Sequence, residues 1–299
     1  MSGVRRSVEL DLFLAPDAAA YVELREQARI ADEAGIELIG IQDHPYQPRF
    51  LDTFAVIGDL LARTERLRLF PAVASLPLRH PAMLAKLSAS LDVMSGGRFE
   101  LGLGAGAFWD AIAAMGGPRR TPKESVDALE EAIKILRRAW SGERSLASDG
   151  AHYPLGGYHP GPMPAHRIGI WLGAYKPRML RLTGAVTDGW VPSSPYAAPE
   201  EIPNMQSQID DAARDAGREP AAVKRIYIVA GEITSEPASA RFSGPPEHWA
   251  RELSELGREL GLDTLIFWPS EGDVSQQVRL FASEVVPGVR ERLDGWLRA

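Results

Sequence analysis

Short aliphatic and β-branched runs alternate with longer stretches in which apolar residues recur every three or four positions, and the rhythm holds almost to the C-terminus. Val8 to Leu14 (VELDLFL) predicts a strand. Leu24, Ala28, Ile30, Ala31 and Ala34 then fall at helical spacing between Tyr21 and Gly35, and the glycine closes that helix. The pair recurs as strand Ile36 to Gln42 with helix Thr53 to Arg63, and as strand Leu67 to Ala74 with a helix that Pro81 opens and that runs to Met94. Strand Phe99 to Leu103 precedes helix Pro122 to Trp140, which has acids at its start and Arg137 and Arg138 at its end, as the helix dipole favours. In the second half the strands are Ile168 to Leu172, Trp190 to Pro192, Lys224 to Ile233 and Thr264 to Trp268. Their helices are Pro177 to Ala185, Glu200 to Gly217, Pro245 to Leu260 and Val274 to Leu297.

Eight strands, each followed by a helix, predict a single (β/α)8 TIM barrel, an α/β fold that typically takes about 250 residues. The 299 residues are then one domain, 1–299, with insertions after the fourth and seventh strands. Ser141 to Arg167, rich in glycine and proline, is the first, with room for a small hairpin; Thr234 to Gly244 is the second. An open doubly wound sheet competes, but such sheets begin with a glycine-rich turn, and the first turn here reads LAPDAA.

Composition narrows the partners. Lys and Arg number 33 against 40 Asp and Glu, a net charge of −7, so there is no positive excess for a nucleic-acid backbone or an anionic membrane. A small organic molecule is the expected partner. The chain has no cysteine, which removes thiolate metal sites, disulfides and cysteine nucleophiles and suits a reducing cytoplasm. The start, MSGVRRSVELDLFLAP, reads neither as a signal sequence nor as a membrane anchor, because Glu9 and Asp11 break the apolar run. No two of the six histidines stand in a zinc-binding pattern, so no metal is expected.

In such barrels the chemistry lies at the C-terminal ends of the strands. Those ends carry Asp43 and His44, Ala74 and Ser75, the run from Gly104 through Gly106 and Phe108 to Trp109 and Asp110, and Gly173, Ala174, Tyr175 and Lys176. Small and aromatic residues with few titratable groups suit a flat ring system better than a metal. GLGAGA from Gly102 to Ala107 fits a dinucleotide-binding pattern only loosely, since the acid that should follow on the next strand is missing. Glycines here would still let a planar ligand approach the backbone. The fifth turn, leading into a helix opened by Pro177 with Lys176 and Arg178 beside it, could hold a phosphate. His44 reads as a donor or proton shuttle, oriented by Asp43 and with its pKa set by that acid, and Asp110 is a second candidate acid.

Three stretches carry a resemblance: HPAMLAKLSASLDVMSGGRFELGLGAG (His80 to Gly106), SVDALEEAIKILRRAW, and IGIWLGAYKPRMLRLTGAVTDGW (Ile168 to Trp190). They resemble the bacterial-luciferase-like oxidoreductases. The resemblance implies an eight-stranded barrel binding flavin mononucleotide (FMN) or the deazaflavin coenzyme F420, with the ring in the barrel mouth and the phosphate at the loop after the fifth strand. It places Gly173, Ala174, Tyr175 and Lys176 at the phosphate, Gly104 and Gly106 near the chain or ring with Trp109 on the same rim, and Ala74 and Ser75 at a bulge beneath the ring that often carries a non-prolyl cis peptide. Lys176 departs from the small residue common before the proline. Ser141 to Arg167 and Glu236 to Gly244 match positions where the family varies its substrate lid. Asp43 and His44 resemble the acid–histidine pair of the F420-using branch, which favours hydride transfer between F420 and a small organic substrate. The alternatives are an FMN monooxygenase using oxygen, and a cofactor-free barrel with a binding role. The family's usual pairing through first-half helices, with Leu84, Leu87 and Leu91 on one face of the third helix, implies a homodimer.

Overall fold

A period of two along the first strand, β1 (Glu9–Leu14), turns Asp11 and Phe13 inward and Leu10, Leu12 and Leu14 outward, and this alternation sets up two separate apolar clusters. The computed structural model describes residues 8–298, so the opening segment with Arg5 and Arg6 lies outside the described residues. After β1 come α1 (Tyr21–Glu33), β2 (Leu38–Ile41), α2 (Thr53–Arg63), β3 (Arg68–Pro71), β4 (Ala74–Ser75), α3 (Pro81–Ser95), β5 (Leu101–Gly104), α4 (Trp109–Ala114) and α5 (Pro122–Ala139). A two-stranded hairpin, β6 (Leu146–Ser148) and β7 (Leu155–Tyr158), occupies the first insertion. Then follow β8 (Ile170–Leu172), α6 (Pro177–Val186), β9 (Gly189–Trp190), α7 (Ile202–Asp215), β10 (Lys224–Ile233), β11 (Ser243–Gly244), α8 (Pro246–Leu260), β12 (Thr264–Pro269), α9 (Val274–Leu280) and α10 (Val286–Arg298).

The strands run parallel in the order β3-β2-β1-β12-β10-β9-β8-β5-β4. β3 and β4 are the halves of one interrupted strand: β4 pairs with β5, and a parallel bridge between Leu69 and Phe99 links β3 to the segment entering β5, which closes the row. Counted this way the barrel has its expected eight strands. The lumen is filled by Phe13, Leu38, Phe70, Trp171, Ile226 and Ile266, while a larger cluster lies between strands and helices. Helix starts follow local chemistry: Asp52 caps α2 by accepting from the backbone N–H groups of Phe54 and Ala55, and Thr121 and Glu124 form a reciprocal cap on α5.

Four expectations need correction. The third strand does not run unbroken to Ala74, because a cis peptide between Ala72 and Val73 separates its halves. The segment after the fourth barrel strand is not all loop, since Trp109–Ala114 forms a helix. The C-terminal helix is interrupted by a π-helical turn at Phe281–Val285, which carries Phe281 and Val285 into the core. Leu84 and Leu91 are buried against the barrel and so form no exposed pairing face; the exposed apolar residues of α3 are Met83, Val93 and Met94.

The first insertion is tied down at both ends. Arg138 on α5 holds Glu143 and the Ala147 carbonyl, and Asp92 on α3 accepts from the backbone N–H of His166 and pairs with its ring. Among the described residues no helix is long and apolar enough to cross a membrane.

Candidate active site

The C-terminal ends of β2, β4 and β5 bring Asp43, His44, Ser75 and Gly104 to one mouth, but not in the pairing expected. The buried Asp43 carboxylate accepts from the Ser75 backbone N–H at 2.9 Å and from Arg79 Nη2 at 2.8 Å and Nε at 3.2 Å. A buried carboxylate takes the strongest donors within reach, a guanidinium and a backbone N–H. Asp43 therefore fixes the loop after the third barrel strand instead of orienting His44. Arg79 also reaches Asp52 at 3.0 Å and lies 4.3 Å from the centre of the Phe54 ring.

Tyr46 holds the histidine instead, its hydroxyl 2.5 Å from His44 Nδ1. The Phe108 ring meets the imidazole edge-on at 5.3 Å and Tyr46 at 5.7 Å. Burial pushes the His44 pKa below its ordinary value, and the opposing charge of Asp43 does not reverse this. The imidazole is thus neutral near pH 7, and the acid does not set its pKa as the sequence suggested. Burial first, then the charge of Asp43 and the phenol of Tyr196, pushes the Tyr46 pKa up, so its hydroxyl stays protonated. A hydroxyl can donate to Nδ1 or accept from it, so the pair leaves Nε2 available as donor or acceptor. Nε2 has no hydrogen-bond partner among the described residues.

Val73, immediately after the cis peptide, forms the floor. A Cβ on Gly104 would lie 2.9 Å from Val73 Cγ2, and one on Gly173 would lie 3.4 Å from the same atom, so the two glycines leave room around this valine. Gly106 is glycine for a different reason: its φ is 101°, and a Cβ there would meet Pro77 at 2.7 Å and Trp109 at 2.9 Å. Trp109 packs over this turn. Ala74 is fully buried on β4. Asp110 is 95% exposed and paired with Arg119 at 2.5 Å, a solvent ion pair with no link to the His44 cluster.

The fifth turn divides its residues. The Ala174 carbonyl accepts from Trp190 Nε1 at 2.9 Å, and the Tyr175 hydroxyl accepts from the Ser193 backbone N–H at 3.1 Å, so both tie the turn to the next strand. Arg178, read from sequence as a phosphate cation, instead pairs with Asp127 and donates to the Lys123 carbonyl at 3.0 Å. Lys176 is exposed at the start of α6; its carbonyl accepts from the Leu180 N–H, and its ammonium has no partner among the described residues.

Sequence reasoning missed Tyr46, Val73, Arg79 and Tyr196. Tyr46, two residues beyond His44, carried a local signal. The others matter through contacts that only the closed barrel brings about.

Residues 8–261 match the luciferase-like monooxygenase family. The chain belongs to that family, one of oxidoreductases. An F420-dependent glucose-6-phosphate dehydrogenase of Microbacterium testaceum is 26% identical, over 90% of this chain and 94% of that relative. Among solved structures, an F420-dependent secondary alcohol dehydrogenase in complex with an F420-acetone adduct superposes with a TM-score of 0.84 at 19% identity, covering 95% of this chain and 99% of the other. The oxygenating constituent of 3,6-diketocamphane monooxygenase from the CAM plasmid of Pseudomonas putida, in complex with FMN, gives a TM-score of 0.75 at 19% identity, covering 94% and 98%. At these identities the structural likenesses establish the TIM-barrel fold.

Proposed function

We propose that the chain is an F420-dependent oxidoreductase acting on a small organic substrate, with His44 as the proton-handling group. The observation that carries this reading is the neutral His44, held through Nδ1 by Tyr46, with Nε2 free at a mouth whose floor Val73, Gly104 and Gly173 keep low. The names of the F420-dependent relatives support the choice of cofactor. The residues fit a planar ring with a phosphate-bearing tail: Val73 and Gly104 would lie against the ring, and the start of α6 with Lys176 would take the phosphate. Bound there, the deazaflavin supplies two-electron hydride chemistry. Within the protein, Nε2 accepts the proton that leaves a substrate oxygen, or returns one to it in the opposite direction. The lowered pKa makes the protonated imidazole a stronger acid than free histidine. Asp43 and Arg79 hold the Ser75 loop in place beside the floor.

Titration of the purified protein with F420 and, separately, with FMN tests the assignment. Saturable F420 binding is the expected result. Binding of FMN alone, with oxygen consumed by the reduced protein, would replace this reading with the monooxygenase one, which the likeness to an FMN complex keeps in view.

A further inference from the structure

We infer that the substrate of this chain is an uncharged molecule with an apolar or aromatic body, gripped by Phe108 and Tyr196, and not a phosphorylated sugar. The inference rests on the function proposed above and goes against the substrate named for the glucose-6-phosphate dehydrogenase relative.

Charge makes the first argument. The loops that follow the barrel strands, together with the bulge loop leading to α3, contain six cations: Arg49, Arg79, Arg119, Arg120, Lys176 and Arg241. Arg79 is held by Asp43 and Asp52 at 2.8 and 3.0 Å. Arg241 is held by Glu200 and Glu252, Arg119 by Asp110, and Arg49 by Asp17 at 3.6 Å. Arg120 is turned to the insertion, where it lies over the Tyr153 ring and donates to its hydroxyl at 3.0 Å. That leaves Lys176, which stands at the helix start assigned to the cofactor's own phosphate. The ion pairs at Arg49 and Arg119 are exposed and weak, so these arginines, with Arg120, are the least firmly held of the six, and none of the three touches His44. Glu236 and Glu271, in the loops after β10 and β12, add negative charge with no cation paired to them among the described residues. A second phosphate therefore finds no cation among the described groups that touch His44, which are Tyr46 and Phe108.

The exposed apolar surface makes the second argument. Phe108 is 48% exposed although it is packed edge-on against His44, and Tyr196 is 65% exposed with its ring 5.7 Å from Tyr175. Tyr196 lies in the loop after β9 and Phe108 in the loop after β5, so both stand on the C-terminal rim of the barrel with His44. Large aromatic groups left open to water beside the proton-handling group are the usual lining of a site for apolar ligands.

The experiment begins with F420 binding, read from the coenzyme's own fluorescence. The F420-loaded protein is then titrated calorimetrically with acetophenone, glucose 6-phosphate and inorganic phosphate. Acetophenone should bind, and glucose 6-phosphate should bind at least 10-fold more weakly or not at all. Phe108→Ala and Tyr196→Ala should each weaken acetophenone binding about 10-fold, with a folded circular-dichroism spectrum retained. Tighter binding of glucose 6-phosphate than of acetophenone, or acetophenone affinity unchanged in both variants, would overturn the inference. If F420 itself fails to bind, the proposed function falls, and the comparison is repeated on unloaded Lys176→Ala, in which acetophenone should still bind more tightly than glucose 6-phosphate; the reverse order there would overturn the inference.

Discussion

Replacement of Arg79 by methionine would test whether the Asp43 carboxylate depends on its guanidinium. The two side chains are 15% and 1% exposed, and two N–H groups of the arginine reach the carboxylate at 2.8 and 3.2 Å. Unit charges about 4 Å apart attract by about 4 kcal/mol at an effective dielectric constant near 20. Removing one partner of a buried pair typically costs about 3 to 5 kcal/mol, because the other is left charged without compensation. Methionine keeps most of the apolar stem over Phe54, and the Ser75 N–H still serves Asp43, so Arg79→Met should destabilise the fold by about 3 kcal/mol. Urea unfolding of the wild type, Arg79→Met, Asp43→Asn and the double variant measures this. The double variant should be less destabilised than the sum of the singles by about 2 kcal/mol or more. A single-variant loss below about 1 kcal/mol, or additivity within about 0.5 kcal/mol, would refute the view that this pair anchors the loop.

His44→Ala should lower turnover about 10²- to 10⁴-fold while leaving F420 affinity within a few-fold, as separate kinetic and binding measurements would reveal. Lys176→Ala should weaken F420 binding about 10-fold, and more so at low salt, whereas Arg178→Ala should leave affinity unchanged because Asp127 already holds that charge; a fluorescence titration compares them. Asp11 is fully buried, and desolvation, reinforced by the charge of Glu9 and opposed by the Leu38 N–H, raises its pKa to about 7. Between pH 4 and about 7 the unfolded chain has released this proton and the folded one has kept it, so this group's contribution to stability falls across that window and levels off above it. Asp11→Asn should remove that slope and gain stability at pH 8, as unfolding curves across pH would show.

The barrel was legible because its signals are local. Period-two runs such as VELDLFL, the glycine that closes α1 and the proline at the start of α3 each specify an element without reference to the rest of the chain. His44 was legible by position, as a titratable group at a strand end. Its orienting partner was not, because adjacency in sequence suggested Asp43 while the backbone delivered that carboxylate to Arg79, 36 residues away. The same limit applied to the phosphate turn, where Arg178 and Lys176 look alike in sequence and only the approach of Asp127 on α5 separates them. The break between β3 and β4 was legible only through the family resemblance, which implies a bulge with a non-prolyl cis peptide here: Leu67 to Ala74 is uniformly suited to a strand, and nothing in its composition marks the Ala72–Val73 bond.

The anchoring of the first insertion bears on how such a chain can diversify. Its entry is clamped by Arg138 and its exit by Asp92, while Glu131 on α5 takes the backbone N–H groups of His152 and Tyr153 from the middle of the segment. All three clamps belong to barrel helices, and each grips a main-chain group, the Ala147 carbonyl for Arg138, which is the same whatever the side chain. The segment is therefore replaceable in content without being free in position. Apart from Leu146 and Tyr153, which are buried in the main apolar cluster, residues between the clamps can change at little cost to the barrel, so inheritance of the scaffold and exploration of new loop sequences are largely separated within one polypeptide.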